Sequence, residues 1–215
     1  MFDPRTSAAH ITLLANDYVE RVMLPTLVGT LSSQAPSVRV SVRPVPDEGY
    51  QHALADGTAD LAIAAAPDPT GRFHYTTLIQ DKPVCIARRG HPVVSTRLTL
   101  KRFLACQHAH VSSRKRLHGP IDVALAERGQ ARDVVATASS YNALPDLVAE
   151  TDLIAVVPER LARAVCRRLP LDSHALPFAV PAFELKLIWG RATDSAALHR
   201  WFREQVCNAA GGLSG

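Results

Sequence analysis

The sequence predicts two α/β lobes joined by a two-strand hinge, with a ligand cleft between the lobes. Three observations carry this expectation. Strand-like and helix-like segments alternate along the chain. The alternation comes in two blocks, and two long extended stretches, 73–89 and 174–190, link them. An alternating βα order favours parallel strands covered by helices on both faces. A length of 215 residues suits one large domain or two small ones.

The first block opens with "HITLLA" (10–15), β-branched and apolar, a strand. Val19, Val22, Met23, Leu27 and Leu31 then recur at helical spacing. Asn16 or Asp17 suits its N-cap, and Pro25 is expected to kink or split the helix. "VRVSVRP" (38–44) alternates as a half-buried strand does. A helix over roughly 47–56 ends at Gly57, and "ADLAIAAA" (59–66) is a compact apolar strand. "FHYTTLIQ" (73–80) and "PVCIARR" (83–89) run nearly without a break and form the first crossing.

The second block repeats the logic. A helix near 99–105 leads to a strand, "HAHVSS" (108–113). Gly119-Pro120 opens a helix running to about Arg128, where Gly129 stops it. "DVVATAS" (133–139) is a strand, and Ser139, Ser140 or Asn142 caps a helix reaching about 150. Leu153–Val157 is a continuously apolar run, as a parallel strand covered on both faces requires. Pro158 is expected at the first helical position, where its missing N–H costs little. "HALPFAVPAFELKLIWG" (174–190) crosses back, broken by Pro177 and Pro181. A closing helix over 194–207 places Leu198, Trp201, Phe202 and Val206 on one side.

Composition narrows the function. Hydrophobic content of 47% and charged content of 20% are those of a globular protein. No apolar stretch approaches the roughly 20 residues of a membrane helix, and residues 1–10 lack a signal-peptide core, so a soluble cytoplasmic protein is expected. A net charge of +4 does not amount to a nucleic-acid footprint. The basic run Arg114, Lys115, Arg116 reads as solvated surface. Cys85, Cys106, Cys166 and Cys207 form no CxxC pair, which fits a reduced compartment. Cys85 and Cys106 read as small buried hydrophobes. His108 and His110 lie at strand spacing with no third ligand nearby, so no metal site is expected. No GxSxG elbow, glycine-rich phosphate loop or HExxH helix occurs, so neither catalysis nor a cofactor is expected.

In an open α/β sheet, ligands gather beyond the carboxyl ends of the strands, where helix N-termini favour anions. The residues at those turns are Asn16, Asp17 and Tyr18; Ala65 and Ala66; Ser112, Ser113 and His118; Ser139, Ser140 and Tyr141; and Pro158, Glu159 and Arg160. This set of hydroxyls, an amide, two tyrosines, a histidine and an arginine suits a small ligand with an apolar body and one anionic or hydroxyl group. Asn16, Ser139 and Ser140 equally suit helix caps, and Tyr18 and Tyr141 equally suit packing. Arg160 stands in the first turn of a helix, where the dipole disfavours a cation, so a ligand role is the sharper reading and a solvated arginine the plainer one.

Five segments together carry a resemblance: "FDP" at the start, "ANDYVERVMLPTL" (15–27), "LADGTADLAI" (54–63), "VCIARRGHP" (84–92) and "TDLIAVVPERLA" (151–162). In order and spacing the chain resembles, over 2–207, the effector-binding domain of LysR-type transcriptional regulators. It looks most like the branch that senses aromatic compounds and flavonoids, including nodulation regulators. The resemblance implies a two-lobe periplasmic-binding-protein type II fold, with lobe I at 1–80 and 182–215 and lobe II at 81–181. It implies a small effector held between the lobes: an aromatic acid, a phenol or a flavonoid. By motif position the residues facing it would be Asn16, Met23, Asp81, His118, Ser139, Tyr141 and Arg160; the strand-end turns add Asp17, Ser112 and Ser140 as ligand candidates. It also implies a homodimer or homotetramer, with the helices around 19–31 and 120–128 as candidate interface faces. DNA would be bound only through an N-terminal winged helix-turn-helix that 1–215 does not supply. The chain is therefore expected to be a piece of a longer regulator with Met1 added. Two departures stand out: the turn after the first strand reads "AND", where the branch reads closer to "ASD" or "ATD", and the segment before "ETDLIA" varies widely in the branch. The alternatives within the same fold are a stand-alone solute-binding protein, which would need export, and a cysteine redox sensor.

Overall fold

The computed structural model describes residues 2–94, 97–112 and 119–212. The chain divides into two compact units. Unit 1 comprises Met1–Gln80 and Phe183–Gly215, and unit 2 comprises Asp81–Ala182.

Unit 1 is built on a five-stranded sheet in the order β2-β1-β3-β10-β4. Its strands are β1 (Ala9–Leu14), β2 (Val38–Arg43), β3 (Leu61–Ala64), β4 (Phe73–Asp81) and β10 (Phe183–Gly190). β1 runs parallel to β2 and β3, whereas β10 is antiparallel to β3, with Leu187 opposite Ile63. The helices are α1 (Asp17–Gln34), α2 (Gln51–Ala55) and α7 (Ala197–Gly211). Pro25 does not split α1, one of the two outcomes the sequence allowed. Tyr18, Val19, Met23, Leu27 and Leu31 bury one stripe on both sides of the proline, while Pro25 itself faces solvent. Tertiary packing of that stripe outweighs one lost backbone hydrogen bond. α2 is shorter than the predicted 47–56; Leu54 is the only buried residue within it, and Tyr50 is buried just ahead of it.

Unit 2 has a second five-stranded sheet, in the order β7-β6-β8-β5-β9. Its strands are β5 (Pro83–Arg88), β6 (Gln107–Val111), β7 (Asp133–Ala138), β8 (Ile154–Pro158) and β9 (Leu171–Ala175), and its helices are α3 (Leu100–Ala105), α4 (Pro120–Ala126), α5 (Leu144–Ala149) and α6 (Glu159–Cys166). Cys85, Ala87, Phe103, Cys106, Ile121, Leu125 and Ile154 form its core.

Both sheets are mixed, which corrects the expectation of purely parallel ones. β6 is parallel to β7 and β8, while β5 is antiparallel to β8 and β9. The reason lies in where the crossing strands enter. Pro83, the first residue of β5, pairs with Pro158, the last of β8. Lys186, near the start of β10, likewise pairs with Ala64, the last of β3. A strand that enters at the carboxyl end of its neighbour has to run against it.

In unit 2, two helix starts shift from the predicted places, and in unit 1 α7 begins at Ala197 rather than 194. Pro158 is the N-cap of α6, with φ −57° and ψ 141°, so Glu159 is its first residue. Strand pairing with Pro83 holds Pro158 extended. α5 begins only at Leu144, and neither Ser139, Ser140 nor Asn142 caps it; Ser140 Oγ instead accepts the Asn142 N–H at 3.1 Å, closing a turn.

Candidate functional site

The carboxyl ends of β6, β7 and β8 form one edge of the unit 2 sheet, and the start of β5 joins them there. Five of the predicted residues follow these strand ends, and Asp81, also predicted, stands beside the start of β5. Ser112 follows β6 and donates its backbone N–H to Ala138 O at 2.8 Å, which ties it to the end of β7. Ser139 and Ser140 continue from β7, Ser139 exposed and Ser140 and the following Tyr141 half-buried. Arg160, half-buried, stands in the first turn of α6. His118, also predicted, lies outside the described residues.

Asp81 is 6% exposed. One carboxylate oxygen accepts the Lys82 N–H at 2.8 Å and the other accepts the Arg160 N–H at 3.4 Å. The first turn of α6 is therefore closed by a carboxylate from 79 residues earlier. This complements the partial positive charge of the helix start. Glu159 beside it meets Lys82 at 3.4 Å and Arg163 at 3.2 Å.

A second carboxylate closes the start of α4. Asp122 Oδ2 accepts the Gly119 N–H at 2.7 Å. The same carboxylate takes two hydrogen bonds from Arg132, both at 2.8 Å. Arg132 has a side chain only 1% exposed, and its Nη2 lies 3.4 Å from His110 Nδ1. Burial pushes the Asp122 carboxyl up, but the Arg132 and Gly119 hydrogen bonds outweigh it and hold it below the ordinary value. Sequence reasoning missed this pair. Gly119-x-x-Asp122 ahead of an apolar run is a capping pattern that could have flagged Asp122, but nothing local marks Arg132.

In unit 1 the predicted residues do structural work. Asn16 is the α1 N-cap, its Oδ1 accepting the Val19 N–H at 3.0 Å. Asp17 is the first residue of α1, and Met23 is 2% exposed against the sheet, beside Leu13, Val19, Val42 and Ile63. Another residue that sequence reasoning did not single out is Lys186, inside the apolar run of β10. It is 6% exposed and donates to Ala66 O and to the Asp68 carboxylate beyond β3. That hydrogen bond raises the ammonium's pKa and lowers the aspartate's.

All four cysteines are free thiols. Burial raises the Cys85 and Cys106 thiols, away from the reactive thiolate. Among the described residues no three His, Cys, Asp or Glu side chains group as metal ligands, and no helix is long and apolar enough to cross a membrane.

Residues 5–210 match the family description "LysR substrate binding domain". The chain belongs to the LysR family. Among family relatives, the HTH-type transcriptional activator NahR of Pseudomonas putida is 30% identical over 203 residues, spanning 94% of this chain and 68% of NahR. Nodulation protein D 1 of Rhizobium leguminosarum bv. phaseoli is 26% identical, spanning 97% and 67%. The regulatory domain of MexT, a transcriptional activator in Pseudomonas aeruginosa, superposes with a TM-score of 0.83 at 30% identity, over 95% of this chain and 99% of that one. A probable transcriptional regulator of the same organism, PA0477, gives 0.87 at 30%, over 95% and 68%. The two α/β units are thus the periplasmic-binding-protein-like fold of LysR regulatory domains.

Proposed function

We propose that this chain is the effector-sensing domain of a bacterial transcriptional regulator, and that it binds a small aromatic molecule rather than turning over a substrate. The observation that carries the reading is the unit 2 edge. Ser112, Ser139, Ser140, Tyr141 and Arg160 follow the carboxyl ends of three strands, the position at which ligands of open α/β sheets bind. The names of NahR and nodulation protein D support the regulatory role and an aromatic or nodulation signal. The effector acts by differential affinity for two conformations of the regulator, since one that bound both equally would shift nothing. DNA is engaged through a helix-turn-helix segment, in the cytoplasm, by a homodimer or homotetramer. Exposed Val28 on α1 and Val123 on α4 support those helices as contact faces.

A thermal-shift screen of benzoates, salicylates and flavonoids identifies the effector, because a ligand selective for the folded state raises Tm. Calorimetry on Tyr141→Phe and Ser139→Ala then tests the edge. Each removes one hydrogen bond to the ligand, worth about 0.5–1.5 kcal/mol, or roughly two- to thirteenfold in Kd. Affinity unchanged in both variants removes the edge from the site.

A further inference from the structure

We infer that the outer edge of β9 is a contact face between two copies of this chain, with each β9 pairing antiparallel to the other about Ser173. β9 closes one end of the unit 2 sheet and β7 the other. A strand at the end of a sheet presents backbone N–H and C=O groups on its outer side. Pro170 O accepts the Arg89 N–H at 2.8 Å, and this fixes which groups those are. In the antiparallel ladder with β5, residues 170, 172 and 174 turn their backbone groups inward, and Leu171, Ser173 and Ala175 turn theirs outward. The Leu171 N–H already goes to Leu169 O at 2.8 Å, so Leu171 offers its carbonyl. Asp172, Ser173 and Ala175 are exposed, and His174 is half-buried. A two-fold axis at Ser173 sets outward residues opposite one another. Ser173 exchanges both backbone bonds with the partner's Ser173, and the Ala175 N–H donates to the partner's Leu171 carbonyl.

The side chains make a second copy the fitting occupant. In this register Asp172 stands opposite the partner's His174, in a pair without backbone bonds. Such pairs have Cα atoms about 4.5 Å apart and the closest side chains. Burial holds the His174 imidazole below its ordinary pKa, so at pH 7 it is neutral and donates its one N–H to the carboxylate. Arg89 meets Asp172 Oδ1 at 3.7 Å, and the imidazole takes the other oxygen. The contact repeats on both sides of the axis, as a two-fold interface requires. Moving the axis by one residue keeps outward groups paired but sets Asp172 against Asp172 or His174 against His174. The first repels, and the second leaves the carboxylate without its donor. Ser173 and Ala175 are small, so the two edges can close to the ordinary strand spacing of about 4.8 Å. This face adds to those of α1 and α4 and does not depend on the effector site.

Cross-linking tests the register. Ser173→Cys places two thiols across the axis with Cα atoms about 5.5 Å apart, within disulfide range. Ala175→Cys places its two thiols four residues apart along the strands, about 13 Å, which is out of range. Each variant is oxidised with diamide, and the links are located by peptide mass mapping. The expected result is a 173–173 disulfide that forms at least tenfold faster than any 175–175 disulfide. No 173–173 link, or equal rates in the two variants, overturns the inference. Ser173→Pro removes an N–H that faces away from β5, a place where an edge strand tolerates proline. In sedimentation equilibrium it should weaken the step that builds the largest assembly at least tenfold, with far-UV circular dichroism unchanged. A folded Ser173→Pro chain that associates like the wild type overturns the inference as well. If the proline variant does not fold, the two cysteine variants decide. All of these outcomes leave the effector-sensing role to its own ligand screen.

Discussion

Acidification should destabilise unit 2 through a single buried histidine. His108 is 0% exposed on β6. Its ring packs edge-on to Phe103 with centroids 4.6 Å apart, and its Nε2 lies 3.0 Å from Phe103 O. The carbonyl can only accept, so Nε2 carries the proton, and Nδ1 is buried with no hydrogen-bond partner among the described residues. Burial pulls the imidazole down to about 4 from an ordinary 6.5, outweighing the bond to the carbonyl. The unfolded chain therefore takes up a proton first as pH falls. Stability is intact above about 6.5, declines below it and levels off under about 4. Between pH 7 and 4.5 the linkage relation gives a loss of about 2.5 kcal/mol from this residue. Urea unfolding followed by far-UV circular dichroism measures it; tryptophan emission does not, because Trp189 and Trp201 both belong to unit 1. His108→Gln retains a side-chain N–H for the Phe103 carbonyl but cannot titrate. Its stability should fall about 2.5 kcal/mol less than the wild type's over the same interval. Equal pH dependence in the two proteins, within about 0.5 kcal/mol, would refute the argument.

The Asp122–Arg132 pair predicts an asymmetry. Asp122→Ala strands a guanidinium whose side chain is 1% exposed and should cost about 3–5 kcal/mol in urea unfolding. Adding Arg132→Met should recover part of that loss, and a double variant less stable than the single one would show that the buried charge is not the cause. Asn16→Ala removes the α1 N-cap bond to Val19 and should cost about 1 kcal/mol. An unchanged midpoint would mean that water replaces the cap at no cost.

Much of the fold was legible because its signals are local. The stripe from Val19 to Leu31, the alternation of 38–43, the apolar run ending at Pro158 and the glycine at 129 each lie within one element and mark it. The two-block order marked the two units for the same reason. Helix boundaries were less legible. Whether Pro158 or Glu159 opens α6 is decided by Pro83 across the sheet, and whether Pro25 breaks α1 is decided by what the stripe packs on.

The site divides along the same line. Which residues stand at the carboxyl ends of strands follows from the order of elements, so Ser112, Ser139, Ser140, Tyr141 and Arg160 could be named from sequence. What each is bonded to could not. Asp81 reaches Arg160 across 79 positions, and Lys186 reaches Asp68 across 118. Asn16 suited a ligand or a helix cap from sequence, and its side chain caps α1. Arg132, without any local mark, has a side chain only 1% exposed. The sequence by itself determined the elements, their grouping and the family, because periodicity, turn residues and short motifs are written within a few positions. Only the tertiary structure decided the direction of the crossing strands and the partner of each buried charge. Those depend on which distant groups lose water together, and the free energy of a buried carboxylate is set by its neighbours in space.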